Sequence, residues 1–335
     1  MTSGAETFAF LDDLRLEVNG SSRTLRHYRG EYGRATAAAV HDPELRISFR
    51  PRLPGAGPSF GGGHKSVRWR VELPDPTAAS LQAAIALTGE PRSFGLSLLQ
   101  GYVIEPLLGL LAPAAGHVLL PSAAIAAPGG TILLIGRSRS GKSSLSARAA
   151  AAGIPVLGDD HVLLGRDGMC RPFPRRLRLY SDLPETAPMA YRALPRARRA
   201  LLGVHGLVRA ATRGAVAPPL RVPIEALGTP AQGASPLDRV VVIERAGGDR
   251  LESGTLEPDA LVEIASAVLG EQRAALRGIP GDAWTARLEE VRAAELRMLG
   301  PALGHARSTV RLTVPNTWEA ARAVSAIAAA LDADL

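Results

Sequence analysis

Alternating apolar and polar residues in the first quarter of the chain predict short β-strands. The alternation covers Leu14–Val18, Leu45–Phe49 and Ser66–Leu73, and a period of two is typical of strands with one buried face. Residues 51–64 are rich in proline and glycine and include Gly61-Gly62-Gly63, so this segment is predicted to be a loop. Residues 1–93 are therefore interpreted as a small mixed α+β domain.

A helix is predicted from Ser93 to Leu111. Its apolar residues recur at helical spacing, on one face: Phe94, Leu96, Leu99, Val103, Leu107 and Leu110. From this helix into the next segment, the 31 residues between Glu105 and Arg137 carry no charge. Prolines and glycines divide this stretch into pieces too short to cross a bilayer, which favours buried structure over a membrane span.

The central segment predicts a strand, a loop, a helix and a second strand. Thr131–Ile135 is a short apolar run typical of a buried parallel strand. The alanine-rich residues 142–152 end at Gly153, a common helix stop. Ile154–Leu157 follows as a strand.

Beyond that strand, Asp167-Gly168 is expected to turn a hairpin between residues 161–164 and 171–174. Further along, Arg239–Glu244 predicts a strand, and helices are predicted at 259–269, 283–299 and 317–331. Residues 94–335 are thus expected to form one larger α/β domain.

Composition narrows the classes of partner. The chain has 335 residues, a net charge of +7 and 46% hydrophobic residues. Only 4% are aromatic and the arginines are scattered, so a nucleic-acid partner is not expected. One cysteine, and acidic residues where a secretory signal would be basic and apolar, favour the cytoplasm.

The strongest chemical signal is the pattern G-x-x-x-x-G-K-S, which we call the glycine loop (residues 136–143). Gly136 and Gly141 let backbone N–H groups turn inward, Lys142 can reach phosphates, and the hydroxyl of Ser143 can bind Mg²⁺. Of the 39 lysines and arginines, only Lys65 and Lys142 are lysine. A lysine kept at position 142 suits a compact point charge on phosphate.

Two carboxylates follow the glycine loop. Asp159 and Asp160 come at the end of the next predicted strand, with Asp159 17 residues after Lys142. The carboxyl ends of adjacent parallel strands face the same crevice, so one carboxylate can hold Mg²⁺ and the other can accept a proton from an attacking hydroxyl. Capping of a turn is the structural alternative.

Residues 117–164 resemble the catalytic domain of HPr kinase/phosphorylase and its HPr-kinase-like relatives. In that family a strand leads into G-x-S-x-x-G-K-S, then a helix, a glycine and a short strand closed by an Asp-Asp pair. Gly136, Ser138, Gly141-Lys142-Ser143 and Asp159-Asp160 stand at this spacing. Weaker similarity at residues 103–108 and 237–244 extends it across most of the chain.

The resemblance implies a fold and a set of site residues. The fold would be a P-loop kinase domain of the HPr kinase C-terminal type, with Asp159 as the general base and Asp160 beside the metal, or the reverse. Lys142 would be catalytic with them, and Ser143 and Asp160 would bind the metal. Nucleotide contacts are expected from Gly136, Arg137, Ser138, Arg139, Ser140, Gly141, Lys142, Ser143 and Ser144.

Two departures limit what the resemblance carries over. Arg139 stands where the family usually has a glycine, and Pro121 stands where it has a histidine. His117 and His161 are the candidates to replace that histidine, although a lone histidine is more often structural. The family's phosphorylase signature is not recognisable. The arginines that follow the acidic pair are candidates for contacts with ATP or an acidic peptide, with a solvated face as the alternative: Arg171, Arg175, Arg176 and Arg178.

These patterns lead to one functional hypothesis with two alternatives. The hypothesis is an ATP- and Mg²⁺-dependent kinase that phosphorylates a hydroxyl, most naturally a serine, of a peptide or small protein such as a biosynthetic precursor. A small-molecule kinase and a nucleotide-binding regulatory module are the alternatives. No membrane partner is expected, and homo-oligomerisation is left open.

Overall fold

The computed structural model describes residues 3–38, 42–55, 57–78 and 80–332. The chain forms two compact units. The first contains residues 1–119 and 266–299, and the second contains residues 120–265 and 300–335. The division expected at residue 93 differs from these units, because residues 94–119 and a distant C-terminal segment belong with the N-terminal unit.

The N-terminal unit is built on a seven-stranded mixed sheet. Its strands are β1 (Ser3–Leu11), β2 (Leu14–Ser21), β3 (Thr36–Ala37), β4 (Leu45–Phe49), β5 (Ser59–His64), β6 (Val67–Glu72) and β7 (Leu81–Thr88). They are arranged in the order β3-β1-β2-β4-β7-β6-β5. In β2, residues alternate between buried and half-buried along the strand, as the sequence pattern predicts.

The prediction of a loop at the glycine triplet was wrong. Gly61, Gly62 and Gly63 lie in β5 and pair with β6 in an antiparallel hairpin. The Cβ of an alanine at position 62 would lie 2.6 Å from Cζ2 of Trp69. The glycines therefore make room for side chains of the partner strand, which a reading of local sequence cannot detect.

The predicted apolar helix is present and lies in the N-terminal unit. Its segments are α2 (Arg92–Leu99), a π-helical turn (Gln100–Ile104) and α3 (Glu105–Leu111). Arg92–Leu111 is long and apolar enough to cross a membrane, but 78% of its apolar window is buried inside the protein. This burial is typical of a core helix.

Polar contacts explain why this helix belongs to the first unit. Helix α1 spans Ser22–Tyr32. The hydroxyl of Tyr28 donates to the carbonyl of Leu96 at 3.2 Å, and that of Tyr32 donates to Glu105 at 3.1 Å. Because these groups are buried, their hydrogen bonds hold α1 and the apolar helix in one unit.

Most of a nine-stranded mixed sheet belongs to the second unit, and its main path runs β11-β9-β10-β16-β13-β12-β8. Strand β18 pairs with β16 and β17, and β14 and β15 form a separate pair. The strands are β8 (His117–Leu120), β9 (Ser122–Ala127), β10 (Gly130–Gly136), β11 (Val156–Gly158), β12 (Val162–Gly165), β13 (Met169–Pro172), β14 (Leu177–Leu179), β15 (Leu220–Val222), β16 (Ser235–Ala246), β17 (Glu252–Thr255) and β18 (Ser308–Pro315).

The expected strands and helices of the second half are confirmed, with shifted ends. The hairpin of β12 and β13 turns at residues 167–168, as predicted. The helices are α4 (Lys142–Ala151), α5 (Leu183–Thr186), α6 (Pro188–Ala193), α7 (Arg196–Ala211), α8 (Pro258–Gln272), α9 (Asp282–Leu303) and α10 (Ala320–Asp332). The chain is therefore a mixed α/β protein.

The expectation that the strand after α4 lies next to β10 in the sheet was wrong. Strand β11 does not pair with β10, because β9 lies between them and is antiparallel to both. Two antiparallel pairings in succession make β11 parallel to β10. Their carboxyl ends, which carry the acidic pair and the glycine loop, consequently still face the same edge of the sheet.

The close approach of Trp69 to Gly62 yields a stability prediction. We expect Gly62→Ala to lower the free energy of unfolding by about 1–3 kcal/mol, because the added methyl group overpacks against the indole. Gly254→Ala in β17 is the matched control, since nothing lies within 4 Å of a Cβ at that position. Chemical denaturation of both variants measures the difference, and equal stabilities would contradict the packing argument.

Candidate active site

The two glycines of the glycine loop are required by the backbone around them. A Cβ at Gly136 would lie 2.6 Å from the carbonyl oxygen of Ile243 in β16. Gly141 has φ +102°, where side chains are strained, and a Cβ there would lie 3.1 Å from Val324 of α10. Glycine at both positions therefore lets the chain pass from the end of β10 into α4 without collision or backbone strain.

Arg139 adopts a backbone conformation that favours glycine. Its φ is +69°, in the left-handed region, which costs other residues about 1 kcal/mol or more. Glycine at this position would avoid that cost. The side chains of Arg137, Ser138 and Arg139 are all exposed at the surface of the loop.

Lys142 folds back onto the glycine loop. Its Nζ donates hydrogen bonds to the carbonyl of Gly136, to the carbonyl of Arg137 at 3.0 Å and to the hydroxyl of Ser140 at 3.4 Å. Burial lowers the pKa of Lys142, and the negative charges of the acidic pair oppose that shift. The ammonium group therefore lies within the electrostatic reach of both carboxyl groups.

Asp159 is the most perturbed acid of the site. Its side chain is 1% exposed, and burial, followed by repulsion from Asp160, raises its pKa to about 7. Ser146, Ser143 and Lys142 act in the opposite direction. Among the described residues, neither carboxyl oxygen of Asp159 has a hydrogen-bond partner. The hydroxyls of Ser143 and Ser146 are thus close enough to lower its pKa without forming a hydrogen bond of ordinary geometry.

Asp160 is held by arginines. Its Oδ2 lies 3.0 Å from Nη1 of Arg175 and 3.7 Å from Nε of Arg178. The Asp160 side chain is 27% exposed, whereas that of Arg175 is 3% exposed. The two members of the pair thus differ. Asp159 is buried and its carboxyl oxygens have no hydrogen-bond partner among the described residues, whereas Asp160 forms ion pairs with two arginines.

His161 is a buried neutral ring rather than a proton-transfer group. Burial and then the charge of Arg175 lower its pKa to about 3, with Lys142 adding to the shift and Asp160 opposing it. Its Nδ1 lies 3.4 Å from Nη1 of Arg175, and its ring packs edge-on against Phe173. A structural role therefore fits His161 better than catalysis at neutral pH.

The other histidine candidate, His117, lies on a different strand of the sheet. It is half-buried in β8, with Nδ1 hydrogen-bonded to the carbonyl of Ala115. In the strand order, β16, β13 and β12 lie between β8 and β10, the strand that leads into the glycine loop.

Two predicted binding residues have partners outside the glycine loop and the acidic pair. The hydroxyl of Ser144 donates to that of Thr186 in α5 at 3.2 Å. Arg171 forms an ion pair with Asp167 at 3.9 Å, across the β12–β13 hairpin. Ser143 and Ser140, in contrast, lie with Lys142 and the acidic pair, so only part of the predicted set is brought together.

Tyr180 belongs to this region and was missed in the sequence. It follows β14 and is 39% exposed. Burial raises the pKa of Tyr180, with Asp160 and Asp159 adding to the shift and Arg139 and Arg175 opposing it. No motif marks this tyrosine; only the fold brings it near the acidic pair.

Within the described part of the chain, no group of three or more histidine, cysteine, aspartate or glutamate residues could hold a metal ion. The site offers two carboxyl groups and the hydroxyl of Ser143. This set suits Mg²⁺, which is usually bound by one or two carboxylates together with substrate phosphates.

Comparison with known proteins adds no assignment. No family model matches the chain, and no curated protein matches it. The function is therefore inferred from the residues of the site.

The conformation of Arg139 leads to a prediction. Arg139→Gly removes a Cβ from the left-handed region and should keep or raise stability by up to about 1 kcal/mol. Arg137→Gly is the matched control, because Arg137 is not among the positive-φ residues. Glycine there relieves no backbone strain and adds freedom to the unfolded chain. Thermal unfolding of both variants compares them; a lower melting temperature for Arg139→Gly than for Arg137→Gly would contradict the prediction.

The raised pKa of Asp159 makes stability depend on pH. Between its unfolded pKa of 3.8 and its folded pKa of about 7, the folded state binds a proton that the unfolded state does not. This contribution is fully present below pH 3.8 and is lost as the pH rises through 7, at up to about 1.4 kcal/mol per unit. His161 has the opposite sign, since its stabilising contribution is lost as the pH falls from 6.5 towards 3.

Asp159→Asn separates these two contributions. We expect the stability of the variant relative to the unsubstituted protein to be greater at pH 8 than at pH 5. Denaturant unfolding at the two pH values measures this difference. A difference that does not change with pH would show that Asp159 titrates normally.

Proposed function

We propose that this chain is an ATP- and Mg²⁺-dependent kinase that transfers a phosphoryl group to a hydroxyl. The observation that carries the proposal is the buried carboxyl group of Asp159, with a pKa of about 7, in the same site as Lys142 and Ser143. An acid that titrates near neutral pH is suited to general base catalysis.

The glycine loop fits a polyphosphate. Glycine at positions 136 and 141 avoids a close approach to β16 and α10, and the loop leads into the N-terminus of α4, where backbone N–H groups favour anions. Gly136 to Ser143 would hold the phosphates, and Ser143 with Asp160 would hold the metal. ATP with Mg²⁺ would supply the phosphoryl group and help to neutralise its charge, with ADP as the leaving group.

The roles of the protein's own residues follow from their environments. Asp159 takes the proton of the acceptor hydroxyl, because it has no competing ion pair. Lys142 contributes an ammonium group that can exchange its carbonyl partners for phosphate oxygens. Arg175 and Arg178 lie next to Oδ2 of Asp160, so Oδ1 would be the oxygen left to hold a metal ion. These environments favour Asp159 over Asp160 as the base.

The acceptor we propose is a serine of a peptide or small protein, in the cytoplasm. The sequence resemblance to the HPr-kinase-like proteins, and the arginines near the acidic pair, support this class over a small molecule. A regulatory module that binds nucleotide without transfer is the competing function, since Arg139 and Pro121 depart from the family pattern. Binding of nucleotide without any transfer would favour that module.

Loss of phosphoryl transfer in two site variants tests the proposal. With γ-labelled ATP and candidate serine peptides, we expect Lys142→Ala to lower transfer by about 10²–10³-fold and Asp159→Asn by about 10²–10⁴-fold. Lys65→Ala removes the other lysine of the chain and should retain transfer. Transfer that survives both site substitutions would refute the mechanism.

A further inference from the structure

Strand β5 forms one edge of the sheet of the N-terminal unit. Among the described residues it pairs with β6 alone. The 3₁₀ turn at Ala274–Gly278 also approaches β5, but within the described ranges no backbone hydrogen bond joins the two. A strand whose outer N–H and C=O groups are unpaired is a template for another extended chain.

The groups that face this edge belong to residues with little or no side chain. The N–H of Leu73 donates to the carbonyl of Pro58, and hydrogen-bonded pairs alternate along an antiparallel ladder. The N–H and C=O groups that point away from β6 are therefore those of Ser59, Gly61 and Gly63. Glycines in a strand allow another backbone to approach closely, so this edge is open to an incoming chain.

The glycines also let two arginines of β6 lie over the edge strand. A Cβ at Gly63 would lie 2.9 Å from Nε of Arg68, and a Cβ at Gly61 would lie 3.3 Å from Cγ of Arg70. Nη2 of Arg70 continues across the strand to the hydroxyl of Ser59 at 3.1 Å. Both arginines are exposed, so their guanidinium groups lie on the solvent-facing side of β5.

Uncharged groups are the partners of these two arginines. Arg68 donates to the carbonyls of Lys65 and Val67, and Arg70 donates to the hydroxyl of Ser59. Across the part of the chain that the structure describes, neither guanidinium group forms an ion pair. Carboxylates on an added strand, about 4.8 Å from β5, would meet both positive charges.

A surface cavity of about 410 Å³ adjoins the start of β5, and it adds a third arginine. Arg52 and Arg70 lie in its wall, and Arg52 is exposed. The cavity also contains Glu72, which is 2% exposed and accepts a hydrogen bond from the N–H of Gly55. Three exposed arginines and one buried carboxylate give this edge a positive surface.

We propose that the open edge of β5 binds an acidic segment of a partner polypeptide as an added β-strand. Main-chain hydrogen bonds to Ser59, Gly61 and Gly63 hold the segment, and its alternate carboxylates meet Arg68 and Arg70. A second copy of β5 fits this edge less well, because two paired edges would bring the arginines of both copies together. The proposal does not depend on the proposed kinase activity.

Fluorescence anisotropy tests the edge in the absence of ATP. The probe is a fluorescein-labelled peptide of about nine residues, in which glutamate and valine alternate. We expect it to bind at least about tenfold more tightly than the same peptide with lysine in place of glutamate.

N-methylated peptides distinguish strand addition from attraction between charges. The N–H groups of a strand point alternately to its two edges, and an added strand uses one edge. Methylation of one alternate set, either the glutamates or the valines, should weaken binding about tenfold or more. Methylation of the other set should change it by less than about threefold.

Two double substitutions locate the binding site. Arg68→Ala with Arg70→Ala should weaken peptide binding about tenfold or more. Arg23→Ala with Arg26→Ala is the matched control, because it removes two exposed arginines of α1. Helix α1 contacts β1 and β2, which lie towards the other end of the strand order, so this control should leave binding within about twofold.

Four results would overturn the proposal. They are equal binding of the glutamate and lysine peptides, equal sensitivity to both methylation patterns, no effect of the substitutions at Arg68 and Arg70, and a dimer of the chain that excludes the peptide. A single-stranded RNA that binds through the same two arginines more tightly than the peptide would also contradict it. Because peptide binding is measured without ATP, its outcome is separate from that of the kinase assay.

Discussion

The candidate site depends on the burial of one carboxyl group next to another. Asp159 is removed from water and faces the negative charge of Asp160, and both effects favour its protonated form. Arg175 and Arg178 neutralise Asp160 and so limit the repulsion within the pair. Lys142 adds positive charge from the glycine loop. The charges of the site are therefore coupled, and substitution of Asp160 or Lys142 would change the pKa of Asp159.

The shape of the glycine loop is set by its neighbours as much as by its own sequence. Strand β16 approaches Gly136 through the carbonyl of Ile243, and α10 approaches Gly141 through Val324. Strand β16 pairs in parallel with both β10 and β18, and α10 follows β18 along the chain. Residues more than 100 positions away in the sequence thus restrict which side chains the loop can carry at positions 136 and 141.

Local sequence predicted the elements whose signals are local. The strand before Gly136, the helix from Lys142 and the turn at Asp167-Gly168 have patterns complete within a few residues. Three features were not predicted because distant residues decide them. The glycine triplet forms a strand that packs closely against Trp69 of β6. Strand β9 separates β11 from β10. Only the fold places Tyr180 near the acidic pair. The glycine loop and the acidic pair were identified from the spacing of their residues. The difference between the buried Asp159 and the ion-paired Asp160 depends on the fold and could not be predicted.

Strand β9 connects the two parts of the candidate site. It is hydrogen-bonded both to β10, which leads into the glycine loop, and to β11, which leads into the acidic pair, and among the described residues no ladder joins β10 to β11 directly. A shift in the register of β9 would therefore displace the glycine loop and the acidic pair together.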